Sequence, residues 1–388
     1  MKKILIVDNS SWNIFNFRKP LVKKLSELNH EVYVVSPIDE YIHYLNETEF
    51  IKHIPCKYLK PRSRNPFRDV LLVIELLIIY FRKKPDLIIH FTIKPNIFGN
   101  FAARILSIHS ISVVTGLGFT FLNPVGVNRL IPWLYKIAFK NIKKLVLYNP
   151  DDRDVFVQQK IISPTKCTII SGSGVNTHYF MPEKADKKDD VFTFLFIGRL
   201  LKDKGLEEYV DATKKIREEH MNIESWVVGD FYDANPAAVN KDKLLEWIEQ
   251  KDILYLGKVM DVRQVIKKVD VLVLPSYREG VPRVILEAMS MGKPIITTDT
   301  AGCKETVVHG KNGFVVPVKN SEALALAMGT IAQLQKKELE IMGRNSRRIA
   351  VEKFDEKIIV HNYLELLHLL FPQSFKIPIK KYTEKIQY

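Results

Sequence analysis

Short apolar runs rich in Ile, Val and Phe alternate with longer stretches of helical period along the whole of this sequence, and that alternation leaves few folds open. ILIVD (4–8), EVYVVS (31–36), DLIIHF (86–91) and SISVVTG (110–116) are separated by segments such as FRKPLVKKLSELNH (17–30) and a helical stretch over 66–83. The pattern returns in VFTFLFIG (191–198), IESWVVG (223–229), DILYLG (252–257), DVLVLPS (270–276), PIITTD (294–299) and FVVPV (314–318). Strands that read as continuous apolar runs are buried on both faces, as in parallel sheets covered by crossover helices. The expected class is α/β, with two doubly wound halves. At 388 residues and 46% hydrophobic content the chain is long enough for two cores. The polar run EKADKKDD (183–190) is the expected linker. The expected domains are therefore 1–185, 186–355, and a closing helix with its tail, 356–388, packing back on the first domain.

Charge is unevenly distributed. Residues 1–185 hold 26 Lys+Arg against 14 Asp+Glu, which leaves only +2 of the net +14 for the remainder. A basic first half attracts nucleic acid, anionic phospholipid or a phosphorylated substrate, or is simply a solvated surface. Cys56, Cys167 and Cys303 match no metal or redox spacing, which favours a reducing compartment. The start MKKILIVDN reads as a first strand rather than a signal peptide. VLLVIELLIIYF (70–81) is too short to span a bilayer and contains Glu75, and NRLIPWLYKIAFKNIKK (128–144) sets Trp133, Tyr135 and Phe139 among basic residues. Each is either an ordinary buried helix or an interfacial one, with aromatics in the headgroup zone and Lys136, Lys140 and Lys143 toward anionic lipid.

Ligands of open α/β sheets bind beyond the C-terminal ends of strands, and between two such domains the expected site is a cleft. The loop after the first strand, DNSSWNIFNFR, lacks Gly-x-Gly-x-x-Gly, so a dinucleotide site is not expected. FIGRLLKDKG (196–205) sets Gly198, Arg199 and Lys204 at a strand end beside a helix start, an arrangement suited to a diphosphate. In SYREGVPRVILEAM (276–289), Glu279 precedes a helix opened by Pro282, and Glu287 lies inside it. Helical rise puts the two carboxylates on the order of 10 Å apart. That exceeds the roughly 5–5.5 Å of a retaining hydrolase pair, while an inverting pair at about 6.5–9.5 Å stays open. It also suits two grips on one nucleotide sugar, with Glu287 on the ribose diol, Glu279 on the hexose, and the diphosphate at Gly280 and Val281. The alternative is a capping or salt-bridged Glu287 and a solvated Glu279. DDRD (151–154) contains Asp-x-Asp, but it follows Asn149-Pro150 and reads as helix-start acids rather than metal ligands. The glycines of SGSGVN (171–176) read as sites of close backbone approach.

Arg199-x4-Lys204 followed by Glu279-x7-Glu287 resembles the donor-binding signature of retaining family-4 glycosyltransferases of the GT-B fold, two facing Rossmann-like domains with a cleft between them. The likeness extends through MKKILIVD, DLIIHFTIKPN, YNPDDRDVF, SGSGVNTHYF, LGKVMDV and AGCKETVVHGKNGFVVPVKNSEALA. NFR near the start, TGLGFTF and REGVPR look most like members that extend polyprenyl-diphosphate-linked sugars in bacterial glycan assembly. The resemblance implies a hexosyltransferase acting with retention, without metal or other cofactor, on a UDP-sugar and a lipid-linked saccharide. An N-acetylhexosamine is the expected donor. It implies a cytoplasmic enzyme held peripherally on the inner face of the plasma membrane. Arg199, Lys204 and Glu279 become the catalytic residues. Glu287, Gly198, Gly280, Val281 and Pro282 hold the donor, with the base near Lys258 and Val259. Relatives carry a glycine-rich first loop and a histidine two positions beyond the one matching His90. Here SSWNIFNFR and Thr92 stand instead, which leaves Asn16, Arg18, Thr92, Lys94, Gly116 and Gly118 as the acceptor-side residues, and His90 as structural. The rival readings are an epimerase or phosphorylase acting on the same donor, and a nucleic-acid-binding protein suggested by charge alone.

Overall fold

A computed structural model describes residues 1–388 apart from 61–62, 64, 119–128, 184–190, 220–221, 232–236 and 376–388. The expected linker falls outside the described residues from position 184 onward, as do the part of TGLGFTF after Gly118 and the tail after Phe375.

The apolar runs become strands β1 (Lys3–Val7), β2 (Glu31–Ser36), β4 (Leu87–Phe91) and β5 (His109–Val114). In the second half they become β8 (Phe192–Ile197), β9 (Ile223–Val228), β10 (Leu254–Tyr255), β11 (Val271–Leu274), β12 (Ile295–Thr298) and β13 (Gly313–Val316). The strands β3 (Lys52–Pro55) and β6 (Lys144–Leu147) were not expected from sequence, and β7 (Cys167–Ile169) precedes SGSGVN. β3 and β7 are the edge strands of their sheet and only partly buried, so neither carries the apolar run that betrays a central strand.

One sheet has the order β3-β2-β1-β4-β5-β6-β7 and the other β10-β9-β8-β11-β12-β13. β1 pairs in parallel with β2 and β4, and β8 with β9 and β11. β4, β11 and β12 are buried at every position, as two-faced coverage requires. In each sheet the strand order reverses once, between β1 and β4 and between β8 and β11. Crossovers leave a reversal point toward opposite faces, so a crevice opens there at the strands' C-terminal ends.

By compactness the chain forms two units. Met1–Val113, Ala138–Leu145 and Lys357–Tyr388 make the first, and Val114–Ile137 with Val146–Glu356 the second. The core of the second includes Phe194, Phe196, Tyr209, Leu272 and Leu286, and the first has a core cluster around Leu5, Val35, Leu76, Tyr80 and Ile88.

Two helices bear on the earlier alternatives. The Pro66–Lys83 helix starts where Asn65 caps the Phe67 N–H at 3.0 Å and stops at Lys84, which turns left-handed at φ 47°. It buries Leu72, Leu76 and Tyr80, and Tyr80 Oη lies 2.9 Å from His90 Nε2. His90 is wholly buried, its pKa pushed down to about 3 by burial, so it is a neutral structural group. The segment expected to be helical over 128–144 is a helix only at Leu130–Ala138, followed by a tight turn at Phe139–Asn141 and then β6. Tyr135 and Phe139 are core residues, as the buried-helix alternative has them and the interfacial one does not. Trp133, Lys136, Lys140 and Lys143 are exposed. No helix among the described residues is long and apolar enough to cross a membrane.

Candidate functional site

Arg199, Lys204, Glu279, Asn16, Arg18, Thr92 and Lys94 all follow strands that flank the two reversal points. In the second unit, β8 ends at Ile197 and runs through Gly198 and Arg199 into a tight turn at Lys202–Lys204, while β11 ends at Leu274 and feeds the loop Pro275–Val281. Lys204 thus lies on a turn of its own rather than in the first turn of the following helix, which begins at Leu206 after a left-handed Gly205. The two loops are tied together. The Tyr277 N–H donates to the Asp203 carbonyl at 2.8 Å, and Ser276 Oγ donates to it at 3.1 Å.

This tie brings Lys204 onto Glu279. The ammonium donates to Glu279 Oε1, and Ser276 Oγ donates to the same oxygen at 3.0 Å. Both charged side chains are largely shielded, at 13% and 17% exposure. Arg199 is exposed, and its guanidinium has no partner among the described residues. Arg199 and Lys204 thus both lie on the loop that follows β8, where two cations suit a polyanion.

The segment 278–281 is clamped on all sides. Asn149 Nδ2 donates to the Gly280 carbonyl at 2.9 Å, and the Glu279 N–H donates to Ala301 O at 3.0 Å. Arg278 pairs with Asp152, a fully buried carboxylate whose pKa is raised by burial and held back by that guanidinium. Asp152 also receives Asn149 Nδ2 at 3.1 Å, while Asn149 caps the Pro150–Gln158 helix. The Asp-x-Asp motif is thus a helix start locked to the Glu279 loop. A Cβ on Gly280 would stand 1.9 Å from the Thr115 carbonyl oxygen, and one on Gly302 would stand 2.4 Å from the carbonyl oxygens of both Glu279 and Gly280. Only glycine admits backbones this close. Gly116, expected on the acceptor side, lies against Gly280 in the same unit, and Gly172 of SGSGVN lies against Val281. Gly118 is exposed with φ 69°.

Pro282 is the N-cap of the Arg283–Ser290 helix rather than its first residue, with the peptides of Gly280 and Val281 just ahead of it. Glu287 accepts from Arg283 Nε at 3.1 Å, the salt-bridged arrangement that was one of the two alternatives for it. Burial raises the pKa of Glu287, against the pull of Arg283. Lys258 and Val259 follow β10 at the same C-terminal edge of the sheet; Lys258 is exposed, 3.9 Å from Asp230. Sequence reasoning missed Ser276, Arg278 and Asn149 as supports of Glu279. Only the i, i+4 spacing of Arg283 and Glu287 carried a signal.

In the first unit, Asn16, Arg18, Thr92 and Lys94 follow β1 and β4, again at a reversal point. Arg18, expected as an acceptor contact, is turned inward. It is 4% exposed, pairs with the wholly buried Asp8 at 3.2 Å, and stacks 3.9 Å from the Phe91 ring centroid. Asn16 donates to the Trp12 carbonyl at 2.9 Å, and Lys94 pairs with Asp69. Thr92 sits at φ 68°, a conformation a β-branched residue adopts only under constraint.

Residues 3–149 match the family described as "Glycosyl transferase 4-like", and residues 191–334 match "Glycosyl transferases group 1". The N,N'-diacetylbacillosaminyl-diphospho-undecaprenol alpha-1,3-N-acetylgalactosaminyltransferase of Campylobacter jejuni is 27% identical over 94% of this chain and 98% of its own length. The UDP-Gal:alpha-D-GlcNAc-diphosphoundecaprenol alpha-1,3-galactosyltransferase of Escherichia coli is 28% identical over 76% of this chain and 78% of its own. Among solved structures, a glycosyltransferase from Rickettsia africae superposes with TM-score 0.77 at 20% identity, covering 96% of this chain and 99% of that one. Anabaena HepE in complex with UDP superposes with TM-score 0.76 at 20% identity, covering 95% and 100%. With two Rossmann-like sheets and both halves matched, the chain belongs to the group 1, family-4-like glycosyltransferases of the GT-B fold.

Proposed function

We propose that this glycosyltransferase moves a hexose, with an N-acetylhexosamine as the expected donor sugar, from a UDP-sugar to a polyprenyl-diphosphate-linked saccharide. The observation that carries the reading is the Lys204–Glu279–Ser276 cluster at the reversal point of the second sheet, with Arg199, unpartnered among the described residues, on the same loop as Lys204. The relatives named above, which by their names act on diphospho-undecaprenol-linked saccharides, support the acceptor class.

The uridine ribose is assigned to Glu287, the base to the neighbourhood of Lys258 and Val259, and the diphosphate to Arg199, Lys204 and the peptides of Gly280 and Val281. Glu279 then accepts from hexose hydroxyls through the oxygen not already held by Lys204. Transfer proceeds by same-face attack. The acceptor hydroxyl oxygen bonds to the anomeric carbon as the bond to the β-phosphate oxygen breaks, and the hydroxyl proton passes to a phosphate oxygen of the leaving UDP. Configuration is retained, and Arg199 and Lys204 neutralise the charge that develops. These residues supply the positive charge without a metal. On this reading Asn16, Thr92, Lys94 and Gly118 belong to the acceptor side, and the protein works peripherally on the inner, anionic face of the plasma membrane.

The test is UDP release across a panel of UDP-sugars, with and without a polyprenyl-diphosphate-linked saccharide. Release that depends on the acceptor is expected. Hydrolysis or epimerisation that proceeds equally without acceptor would overturn the proposal.

A further inference from the structure

The Pro66–Lys83 helix has two apolar faces, and the fold uses only one. Leu72, Leu76 and Tyr80 are buried, while Phe67, Val70, Leu71, Ile74, Ile78 and Phe81 are exposed, Phe67 at 80% and Phe81 at 66%. At 100° per residue the exposed six fall within one arc opposite the buried three, a stripe about 21 Å long. A solvated helix carries polar residues there, and contiguous exposed apolar surface of this extent marks an interaction site.

The charges on the same helix narrow the partner. Its two acids are both engaged by the protein. Glu75 accepts the Lys57 and Tyr58 N–H groups at 2.7 and 2.8 Å, and Asp69 pairs with Lys94. Lys83 turns back over the Tyr33 ring, but Arg68 near the start and Arg82 at the end are both exposed, followed by exposed Lys84. The outward face thus offers apolar side chains with cations at its two ends and none of the helix's acids. That combination suits a helix lying in the plane of an anionic bilayer, with aromatics among the acyl chains and guanidiniums at the phosphates.

We infer that this helix is the lipid-docking surface of the first unit, seated in the headgroup region of an anionic membrane through Phe67, Ile74, Ile78 and Phe81. The inference rests on the peripheral-membrane reading above and assigns it to an element other than the 128–144 segment.

The experiment is co-sedimentation of the full chain with phosphatidylethanolamine vesicles containing phosphatidylglycerol. The triple variant Phe67→Gln, Ile74→Gln, Phe81→Gln replaces exposed side chains with good helix formers, so its melting temperature and UDP affinity should match the wild type. Its vesicle affinity should fall by at least about tenfold, and Arg68→Gln with Arg82→Gln should weaken the dependence on phosphatidylglycerol. If the triple variant sediments like the wild type, the helix is not the docking surface, although the membrane reading survives. Should the wild type itself ignore the vesicles, both fail. Wild-type self-association that the variant abolishes, with vesicle binding unchanged, would assign the stripe to a second copy of the chain and overturn lipid docking.

Discussion

Replacing Gly280 by alanine tests the claim that a clamped backbone, and not the glutamate alone, sets the donor site. The new Cβ would lie 1.9 Å from the Thr115 carbonyl oxygen and 2.7 Å from its carbon. Carbon–oxygen contacts settle near about 3.3 Å, so one backbone must retreat by more than about 1 Å. Neither is the free end of a flexible side chain. The Gly280 carbonyl is held by Asn149, and Gly302 packs against the carbonyls of Glu279 and Gly280. The displacement therefore carries Glu279 away from Lys204 and Ser276. Misplacing a reacting group by about 1 Å is enough to cost on the order of 10²-fold in rate, and overpacking against backbone costs about 1–3 kcal/mol in stability. kcat/KM from UDP release, measured beside thermal unfolding, should show both losses. Gly310→Ala is the control. It has φ 75°, with nothing within 4 Å of its added Cβ. It should lower stability by about 1 kcal/mol and leave kcat/KM unchanged. If Gly280→Ala keeps wild-type kcat/KM, the rigidity of this loop is irrelevant to the chemistry and the reasoning is wrong.

Glu279→Gln should lower kcat by about 10²–10³-fold, the effect of losing one well-placed charge-stabilising group. UDP affinity, read by calorimetry, should hold or rise because Lys204 loses its counter-ion; weaker UDP binding would count against assigning Glu279 to the sugar. Glu287 gives a pH test. A ribose diol donates to the ionised carboxylate, and burial holds that carboxyl's pKa above its ordinary value. The affinity for uridine, which lacks titrating phosphates, should therefore climb with pH through that raised pKa, by at most about tenfold per unit, and then level off. A flat wild-type profile, or the same climb in Glu287→Gln, would move the ribose elsewhere. Arg18→Met removes the counter-ion of the buried Asp8, leaving it the neutral donors Asn9 N–H and Asn13 Nδ2, and should destabilise the protein by about 3–5 kcal/mol in urea unfolding, with Asp8→Asn in the same chain restoring part of it. A loss below about 1 kcal/mol would mean that water reaches Asp8.

Much of this was legible in the sequence because its signals are local. Continuous apolar runs marked the central strands, and helical period marked the helix over 66–83. The Glu279 loop followed from a buried strand running into Pro282. Signals failed where the deciding partner is distant along the chain. The edge strand β3 lacks an apolar run because one side has no neighbour. The 128–144 segment looked like one amphipathic helix, yet Tyr135 and Phe139 are buried and its end joins a sheet. Arg18 looked like a surface base until Asp8 and Phe91 were seen to enclose it.

The sequence by itself determined the α/β class, the parallel strands, and the types of charged group at their ends, because periodicity and turn chemistry act over a few residues. Which groups meet was decided only by tertiary structure. Lys204 reaches Glu279 across 75 positions, and Arg278 reaches Asp152 across 126. The apolar pattern of the 66–83 helix reads the same whether one face is covered or two. Only the folded chain shows that it covers one, since burial is a property of neighbours and not of the residues themselves.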